Sequence, residues 1–310
     1  MAQEITIVGL PPFKKDRLEF LTLDENAQII EQKAQPINSG SYIELTGYDK
    51  SKFLSLSYDQ KPHITLHDIK KDTLTEFNVP EKLTLSCLFA NPLDGLVYSW
   101  DWESKRLFSW TADGKLANTS DIESPPLSYL RHDLETFLGC LDGTIYLNGK
   151  KIAEFGNDKI KKMVVNENEL IVIAAGSAHD EFFPLPSKVI SLDSLKPKNE
   201  SKFARRDFID AVVHDGILYT ATDVSIGQHT KERDNTKFLR TPGGRIRYLF
   251  PKMAGKDSLI FYTTNFGQLF YTEINDFENH PSAIPHSDVK PEKSRKVAGS
   301  GYYKSLVIIP

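Results

Sequence analysis

Short runs of alternating apolar and polar residues recur from one end of this 310-residue chain to the other. About twenty such runs are bounded by Gly, Pro, Asn or Asp, and no stretch of a dozen residues sustains the period of an amphipathic helix. Alternation with a period of two places successive side chains on opposite faces of a pleated strand. We therefore predict an all-β fold with almost no helix.

The strands also repeat at a longer interval. Apolar strands that could occupy equivalent positions recur about every 42 residues, which lies within the range expected for propeller blades. Their centres are Leu54, Leu88, Leu138, Ile171, Val213, Ile260 and Val307. The pattern predicts a seven-bladed β-propeller that forms a single domain over residues 1–310.

A Gly-containing turn precedes several of these strands. The clearest copies are "LDGLVYSW" (93–100), "LDGTIYLNG" (141–149) and "HDGILYTA" (214–221), with a relaxed copy, "NFGQLFYT", at 265–272. Asp-Gly suits type I′ turns, whose central residues need positive φ. We predict that these turns are the corners of the inner hairpins of successive blades.

Both ends of the chain are apolar and strand-like. "EITIVGL" occupies residues 4–10 and "KSLVIIP" occupies residues 304–310. A closed array of sheets removes exposed edges, which otherwise promote aggregation. We therefore expect the N-terminal and C-terminal strands to pair within one blade and close the propeller.

Composition narrows the possible functions. The formal charge of −4 is small for this length and gives no general field for nucleic acid or an anionic membrane. The N-terminus has no signal-peptide pattern, and no segment has the apolar length of a membrane span. Cys87 and Cys140 stand in apolar strands, which favours buried thiols in a reducing compartment. We expect a monomeric protein of the cytoplasm or nucleus that does not contact membranes.

Three segments resemble degenerate RCC1 repeats: "YIELTGYDKSKFLSLSYDQKPHITLHD" (42–68), "IRYLFPKMAGKDSLIFYTTNFGQLFYTEI" (246–274) and the ending "KVAGSGYYKSLVIIP". Gly47, Gly255 and Gly299 stand where the first Gly of that repeat would. The segment at 94–110 is equally similar to a WD40 blade. The RCC1 resemblance implies a seven-bladed propeller and no catalytic residue, because no residue of the family's exchange or chromatin-contact surfaces is matched. Compact relatives of this kind include a fungal accessory factor of Elongator-dependent tRNA modification and diphthamide synthesis.

Motifs for catalysis are absent from the sequence. It contains neither a phosphate-binding loop nor a Gly-x-Ser-x-Gly nucleophile motif. His63 and His67 are spaced by four on a strand, which places them about 13 Å apart and too far to share a metal ion. We predict no catalytic residue, cofactor or metal. A metal-dependent propeller hydrolase or lactonase is the alternative from the class of enzymes.

Partner binding has more support. Aromatic residues at even offsets in "YSWDWESKRLFSW" could be interface anchors or packing between blades, and residues 196–252 hold 12 Lys or Arg against 7 Asp or Glu. The predicted partner-binding residues are Tyr98, Trp100, Trp102, Trp110, Arg205, Arg206, Arg240, Arg245 and Arg247. Too few aromatic residues accompany these arginines to favour nucleic acid as a direct ligand.

Three polar segments, 176–187, 223–244 and 275–296, are predicted to be loops that carry specificity. We therefore predict a non-catalytic scaffold that binds one or more proteins through its loops or rim. A WD40-type adaptor in ubiquitin ligation or chromatin complexes is the alternative within the propeller class.

Overall fold

The structure is a computed structural model. It describes residues 4–11, 16–36, 41–91, 94–178, 181–222, 225–229, 236–240, 253–263, 268–279, 295–299, 303 and 305–309. The described chain is almost entirely β, and its helical content is one 3₁₀ turn at Ile274–Asp276. Among these residues, no helix has the length and apolar character that a membrane span requires. The prediction of an all-β fold is confirmed.

Twenty-nine strands are described, numbered here in chain order. The first eleven are β1 (Ile5–Leu10), β2 (Arg17–Leu23), β3 (Ile29–Pro36), β4 (Ser41–Asp49), β5 (Lys52–Tyr58), β6 (Pro62–Asp68), β7 (Thr73–Glu76), β8 (Leu85–Asn91), β9 (Leu96–Asp101), β10 (Arg106–Thr111) and β11 (Leu116–Asp121). The next eight are β12 (Pro126–His132), β13 (Glu135–Cys140), β14 (Thr144–Leu147), β15 (Lys150–Glu154), β16 (Lys159–Asn166), β17 (Glu169–Ala178), β18 (Glu181–Ser191) and β19 (Lys196–Pro197). The last ten are β20 (Asp210–His214), β21 (Ile217–Ala221), β22 (Ser225–His229), β23 (Thr236–Arg240), β24 (Met253–Lys256), β25 (Leu259–Thr263), β26 (Leu269–Glu273), β27 (Glu278–Asn279), β28 (Arg295–Lys296) and β29 (Ser305–Ile309).

The chain divides into two compact units. The first unit is residues 1–126 with 298–310, and the second unit is residues 127–297. The first unit holds three antiparallel sheets, with strand orders β29-β1-β2-β3, β4-β5-β6-β7 and β8-β9-β10-β11. The second unit holds four, with orders β12-β13-β14-β15, β16-β17-β18-β19, β20-β21-β22-β23-β27 and β24-β25-β26-β28. We number the three sheets of the first unit 1 to 3 and the four sheets of the second unit 4 to 7, in the sequence in which they are named above. The prediction of one domain over 1–310 stays a prediction.

Sheet 1 contains the first and the last of the described strands. Strand β1 pairs antiparallel with β29, with Ile7 opposite Ile308 and Val8 opposite Val307. Val8 and Val307 belong to one apolar cluster with Phe53 of sheet 2. The predicted pairing of the N-terminal and C-terminal strands is confirmed.

The predicted repeat gives the right number of sheets, but its centres do not fall on the same strand of every sheet. Each of the seven predicted centres lies in a different sheet. Leu54, Leu138, Ile171 and Ile260 lie on the second strands of their sheets, whereas Leu88 and Val213 lie on first strands. The apolar run that is most prominent in the sequence is therefore not the same structural strand in every sheet.

The predicted role of the Asp-Gly turns is partly wrong. Asp215 and Gly216, between β20 and β21, have φ of 49° and 73°, as a type I′ turn needs. Asp142 does not adopt positive φ; instead its Oδ1 atom accepts the Thr144 N–H at 3.0 Å, as in an Asx turn. Asp94 Oδ1 likewise accepts the Leu96 N–H at 2.9 Å. The Asp142 turn joins second and third strands, so it is not an inner corner, and the relaxed copy at 264–267 lies outside the described residues.

Other sequence predictions have mixed outcomes. Cys87 and Cys140 are both buried, as expected, and burial raises the pKa of Cys140 to about 12, which keeps that thiol protonated. The predicted loop at 176–187 is wrong, because most of it forms the ends of β17 and β18. Much of 223–244 and 275–296 lies outside the described residues.

Candidate functional site

A cleft of about 590 Å³ opens in the first unit between sheets 1 and 2. Fifteen of the described residues line it: Thr6, Phe20, Thr22, Glu31, Lys33, Ala34, Gln35, Pro36, Phe53, His67, Asp68, Ile69, Asp72, Thr73 and Leu74. They come from β1, β2 and β3 on one side and from β5, β6, β7 and the β6–β7 turn on the other. The volume falls in the range of ligand-binding clefts. We call this feature the β3/β7 cleft.

Strand register builds the two walls. On sheet 2, Phe53 lies opposite His67, and His67 lies opposite Leu74, so these three side chains form one cross-strand row. On sheet 1, Phe20 lies opposite Lys33. Cross-strand neighbours project from the same face of a sheet, so each wall changes from aromatic to aliphatic or charged towards its outer strand.

Aromatic rings form the floor of the cleft. The Phe20 and Phe53 rings meet edge to face with centroids 5.9 Å apart, and the Phe53 and His67 rings stack at 4.3 Å with an interplanar angle of 8°. Phe53 is fully buried and His67 is 5% exposed. Burial lowers the pKa of His67 to about 4, so the imidazole is neutral at neutral pH. The floor therefore presents an uncharged aromatic surface.

His67 also contacts a buried hydroxyl. Its Nε2 atom lies 2.8 Å from Ser55 Oγ on β5. The second unit holds the same arrangement, in which Thr220 Oγ1 on β21 lies 2.8 Å from His229 Nε2 on β22. In both cases the hydroxyl lies two residues beyond the partner directly opposite the histidine. A recurring pair of second-strand hydroxyl and third-strand histidine, with Ser55 only 1% exposed, fits a structural role better than nucleophilic catalysis.

Protonation of His67 is expected to destabilise the protein. Its folded pKa of about 4 lies below the ordinary 6.5, so the unfolded chain binds the proton more tightly, and stability is lost as pH falls from 6.5 towards 4. The His67→Phe variant keeps a ring against Phe53, and we expect it to remove about 3 kcal/mol of this pH dependence. Urea unfolding at both pH values measures the effect. His63→Phe is the control, because His63 is only partly buried, and equal pH dependence in the wild type and His67→Phe would contradict the prediction.

Four charged side chains line the outer part of the cleft: Glu31, Lys33, Asp68 and Asp72. The Lys33 ammonium lies 2.8 Å from Glu31 Oε1, and this carboxylate raises the pKa of Lys33. Asp68 is 9% exposed, and its Oδ1 atom accepts the Lys71 backbone N–H at 3.0 Å. Asp72 lies in the exposed turn before β7 with φ of 52°. The lining therefore carries three carboxylates and one ammonium.

The aromatic residues predicted to bind a partner lie in sheet 3 or, for Trp102, in the turn that follows β9, and they separate into two groups. Trp100 and Trp110 are 1% and 0% exposed, and Trp100 donates its Nε1–H to the Ile122 carbonyl at 2.7 Å, so core packing explains both. Trp102 is 48% exposed and its ring packs edge to face on Trp100 at 5.0 Å. Tyr98 is partly exposed and donates its hydroxyl to Asp94. Trp102 and Tyr98 therefore reach solvent, and their role in partner binding stays a prediction.

The predicted basic residues are only partly described. Arg205 and Arg206 are exposed in the turn after β19, where the Ser187 backbone exchanges hydrogen bonds with both residues. Arg240 is described as the last residue of β23, and Arg245 and Arg247 lie outside the described residues. Partner binding by these arginines also stays a prediction.

No group of three or more His, Cys, Asp or Glu that could hold a metal ion occurs in the described part of the chain. His63 Nε2 lies 3.2 Å from Asp59 Oδ1 at the surface, and His67 faces the β3/β7 cleft. The metal-dependent hydrolase alternative stays a prediction, which elemental analysis of the purified protein would test.

No protein-family model and no curated protein matches this chain. Apo AztD from Citrobacter koseri is similar in structure, with a TM-score of 0.57 and 10% identity over 99% of this chain and 97% of that chain. The C-terminal WD40 domain of Sif2 gives a TM-score of 0.52 and 12% identity over 78% of this chain and 72% of that chain. The chain is a seven-bladed β-propeller.

A catalytically inactive variant of virginiamycin B lyase from Staphylococcus aureus, solved with quinupristin, is also similar. Its TM-score is 0.56, with 14% identity over 91% of this chain and 90% of that chain. At such identities the likeness shows the fold alone, because propellers with the same architecture have unrelated functions. The site must therefore be interpreted from its own residues.

Proposed function

We propose that this propeller is a non-catalytic scaffold that binds a partner protein, with the β3/β7 cleft as a docking site. The observation that carries the proposal is the border of the cleft. Its lining includes four consecutive residues of β3, 33–36, and two consecutive residues of β7, 73 and 74. Successive strand residues point to opposite faces, so a run of consecutive lining residues means that the strand edge borders the cleft.

Both bordering strands are the outermost strands of their sheets. Among the described strands, β3 pairs with β2 and β7 pairs with β6, each along one edge. An outer edge offers backbone N–H and C=O groups to an extended peptide, which can bind by adding a strand. Leu74 on β7 lines the cleft and is 57% exposed, which adds apolar surface for side chains of the partner; Ile30, which is 54% exposed on β3, lies outside the cleft lining.

The RCC1-like resemblance supports a more specific form of the proposal. In that form the chain is a cytoplasmic or nuclear accessory factor of a modification complex, such as the one for Elongator-dependent tRNA modification, with a further role in diphthamide synthesis. The proteins bound by the scaffold would then be components of that complex. Purification of the tagged chain, followed by mass spectrometry of the copurifying proteins, tests this form.

Replacement of Leu74 by Ala is expected to weaken partner binding about 10-fold, because a fully buried apolar contact is worth about 1.5 kcal/mol or more. Leu116→Ala is the matched control, because Leu116 is 51% exposed on the outermost strand β11 and lies outside the cleft. Affinity purification with cross-linking and quantitative mass spectrometry compares the two variants. Equal recovery of partners from both would contradict docking at the cleft, and recovery of no specific partner by the wild type would contradict the scaffold.

A further inference from the structure

The balance of charge in the β3/β7 cleft indicates what kind of peptide it binds. Of its four charged lining residues, Lys33 is occupied by Glu31, with the two charged groups 2.8 Å apart. Lys33 also interacts electrostatically with Asp72, but less strongly than with Glu31. Among the described lining residues, three carboxylates thus share one ammonium, so their net charge is negative.

Among the described residues, the neighbouring lysines outside the lining do not remove this excess. Lys52 interacts electrostatically with Asp68, but its ammonium donates to Asp49 Oδ2 at 2.9 Å. Lys70 and Lys71 are exposed in the β6–β7 turn and do not line the cleft. Asp68 Oδ1 accepts its hydrogen bond from the Lys71 backbone N–H, a donor that carries no formal charge. A cationic side chain in the cleft would thus meet carboxylates with capacity to accept.

The uncharged surfaces of the cleft complement a cationic side chain with an aliphatic stem. Phe53 is fully buried beneath the floor, so the aromatic surface that a side chain can reach is the partly exposed ring of Phe20 and the small exposed part of His67. Ammonium and guanidinium groups are attracted to aromatic faces. His67 is neutral at neutral pH because burial holds its pKa at about 4, so it does not repel a cation. Leu74 beside this floor offers an apolar contact to a neighbouring aliphatic side chain.

We propose that the β3/β7 cleft binds an extended segment of a partner protein in which Lys or Arg alternates with aliphatic residues. The basic side chain enters the cleft between the aromatic floor and the carboxylates of Asp68 and Asp72. An aliphatic neighbour packs on Leu74, and the peptide backbone pairs with an outer strand. This inference rests on the proposed scaffold function and specifies its partner.

The test is fluorescence anisotropy with the full chain and two labelled hexapeptides, Val-Lys-Val-Arg-Val-Lys and Val-Glu-Val-Asp-Val-Glu. We expect the basic peptide to bind at least about 10-fold more tightly, with an affinity that falls as salt is added. Asp72→Asn is expected to weaken binding of the basic peptide about 5-fold. Asp133→Asn is the matched control, because Asp133 also lies in an exposed turn with positive φ, and it should leave binding unchanged.

Three results would overturn the inference. They are equal binding of the two peptides, unchanged binding by Asp72→Asn, and competition by free arginine amide as effective as by the basic peptide, which would indicate a small-molecule amine site. If partners still copurify with the chain in any of these cases, the scaffold function stands and only the chemistry of the cleft is wrong. If basic-peptide binding follows the prediction but no protein copurifies, the scaffold function is wrong instead.

Discussion

Replacement of Asp210 by Ala is expected to lower the free energy of unfolding by about 3 kcal/mol. Asp210 is the first residue of β20 and is 2% exposed. Its Oδ2 atom accepts the Met253 N–H of β24 at 2.6 Å, its Oδ1 atom accepts the Ala211 N–H at 2.9 Å, and the Lys162 ammonium of β16 lies 3.6 Å from Oδ1. One carboxylate therefore joins the first strands of sheets 5, 6 and 7. Its removal leaves buried donors without an acceptor.

The amide variant distinguishes this account from a simple loss of volume. Asp210→Asn keeps the size of the side chain, but its NH₂ group replaces one acceptor and would face a backbone N–H. We therefore expect Asn to cost nearly as much as Ala in the free energy of unfolding. Asp158→Asn is the control, because Asp158 is partly exposed and its ion pair with Lys188, 3.3 Å long, should contribute less than 1 kcal/mol. Urea unfolding of the three variants measures the loss of unfolding free energy in each. An Asp210→Asn variant as stable as the wild type would contradict the prediction.

Local patterns in the sequence predict the class of the fold and the number of its sheets. Alternation along a strand is a property of neighbouring residues, so it is visible in one sequence, and each of the seven apolar centres found this way lies in its own sheet. Which strand of a sheet carries that centre depends on pairing with other strands. The pattern selected Leu88 and Val213, which lie on first strands, because the sequences of β8 and β20 are as apolar as those of second strands in other sheets. Register is thus the point at which the local pattern stops being informative.

The β3/β7 cleft was not predictable for the same reason. Its row of Phe53, His67 and Leu74 exists only after β5, β6 and β7 pair, and its facing wall comes from a different part of the chain, residues 6–36. The sequence shows His67 only as one of two spaced histidines, and nothing local indicates that it stacks on Phe53.

The exposure of the tryptophans depends on where a strand ends, which the sequence pattern does not define. Their even spacing predicts that Trp100 and Trp102 share one face of a strand. In the structure only Trp100 lies on the strand, and the Trp102 ring packs edge to face against it with centroids 5.0 Å apart. Exposure differs because β9 ends at Asp101, so Trp102 lies in the turn beyond the sheet while Trp100 remains in the core. Strand boundaries decide which aromatic residue reaches solvent, and boundaries are the least certain part of a pattern-based assignment.

Replacement of Gly9 by Ala is expected to destabilise the sheet that joins the two chain ends by about 3 kcal/mol. A Cβ atom at Gly9 would lie 2.2 Å from the ring of Tyr303, which is 1% exposed and donates its hydroxyl to Glu19 Oε2 at 3.0 Å. Because Glu19 is the residue opposite Gly9 on β2, moving the ring to admit the methyl group would also break this buried hydrogen bond. Gly47→Ala is the control, since its Cβ would meet Val307 at an ordinary 3.5 Å. Urea unfolding should show that Gly9→Ala costs much less in a Tyr303→Ala background, and an equal cost in both backgrounds would show that the ring is not what excludes the side chain.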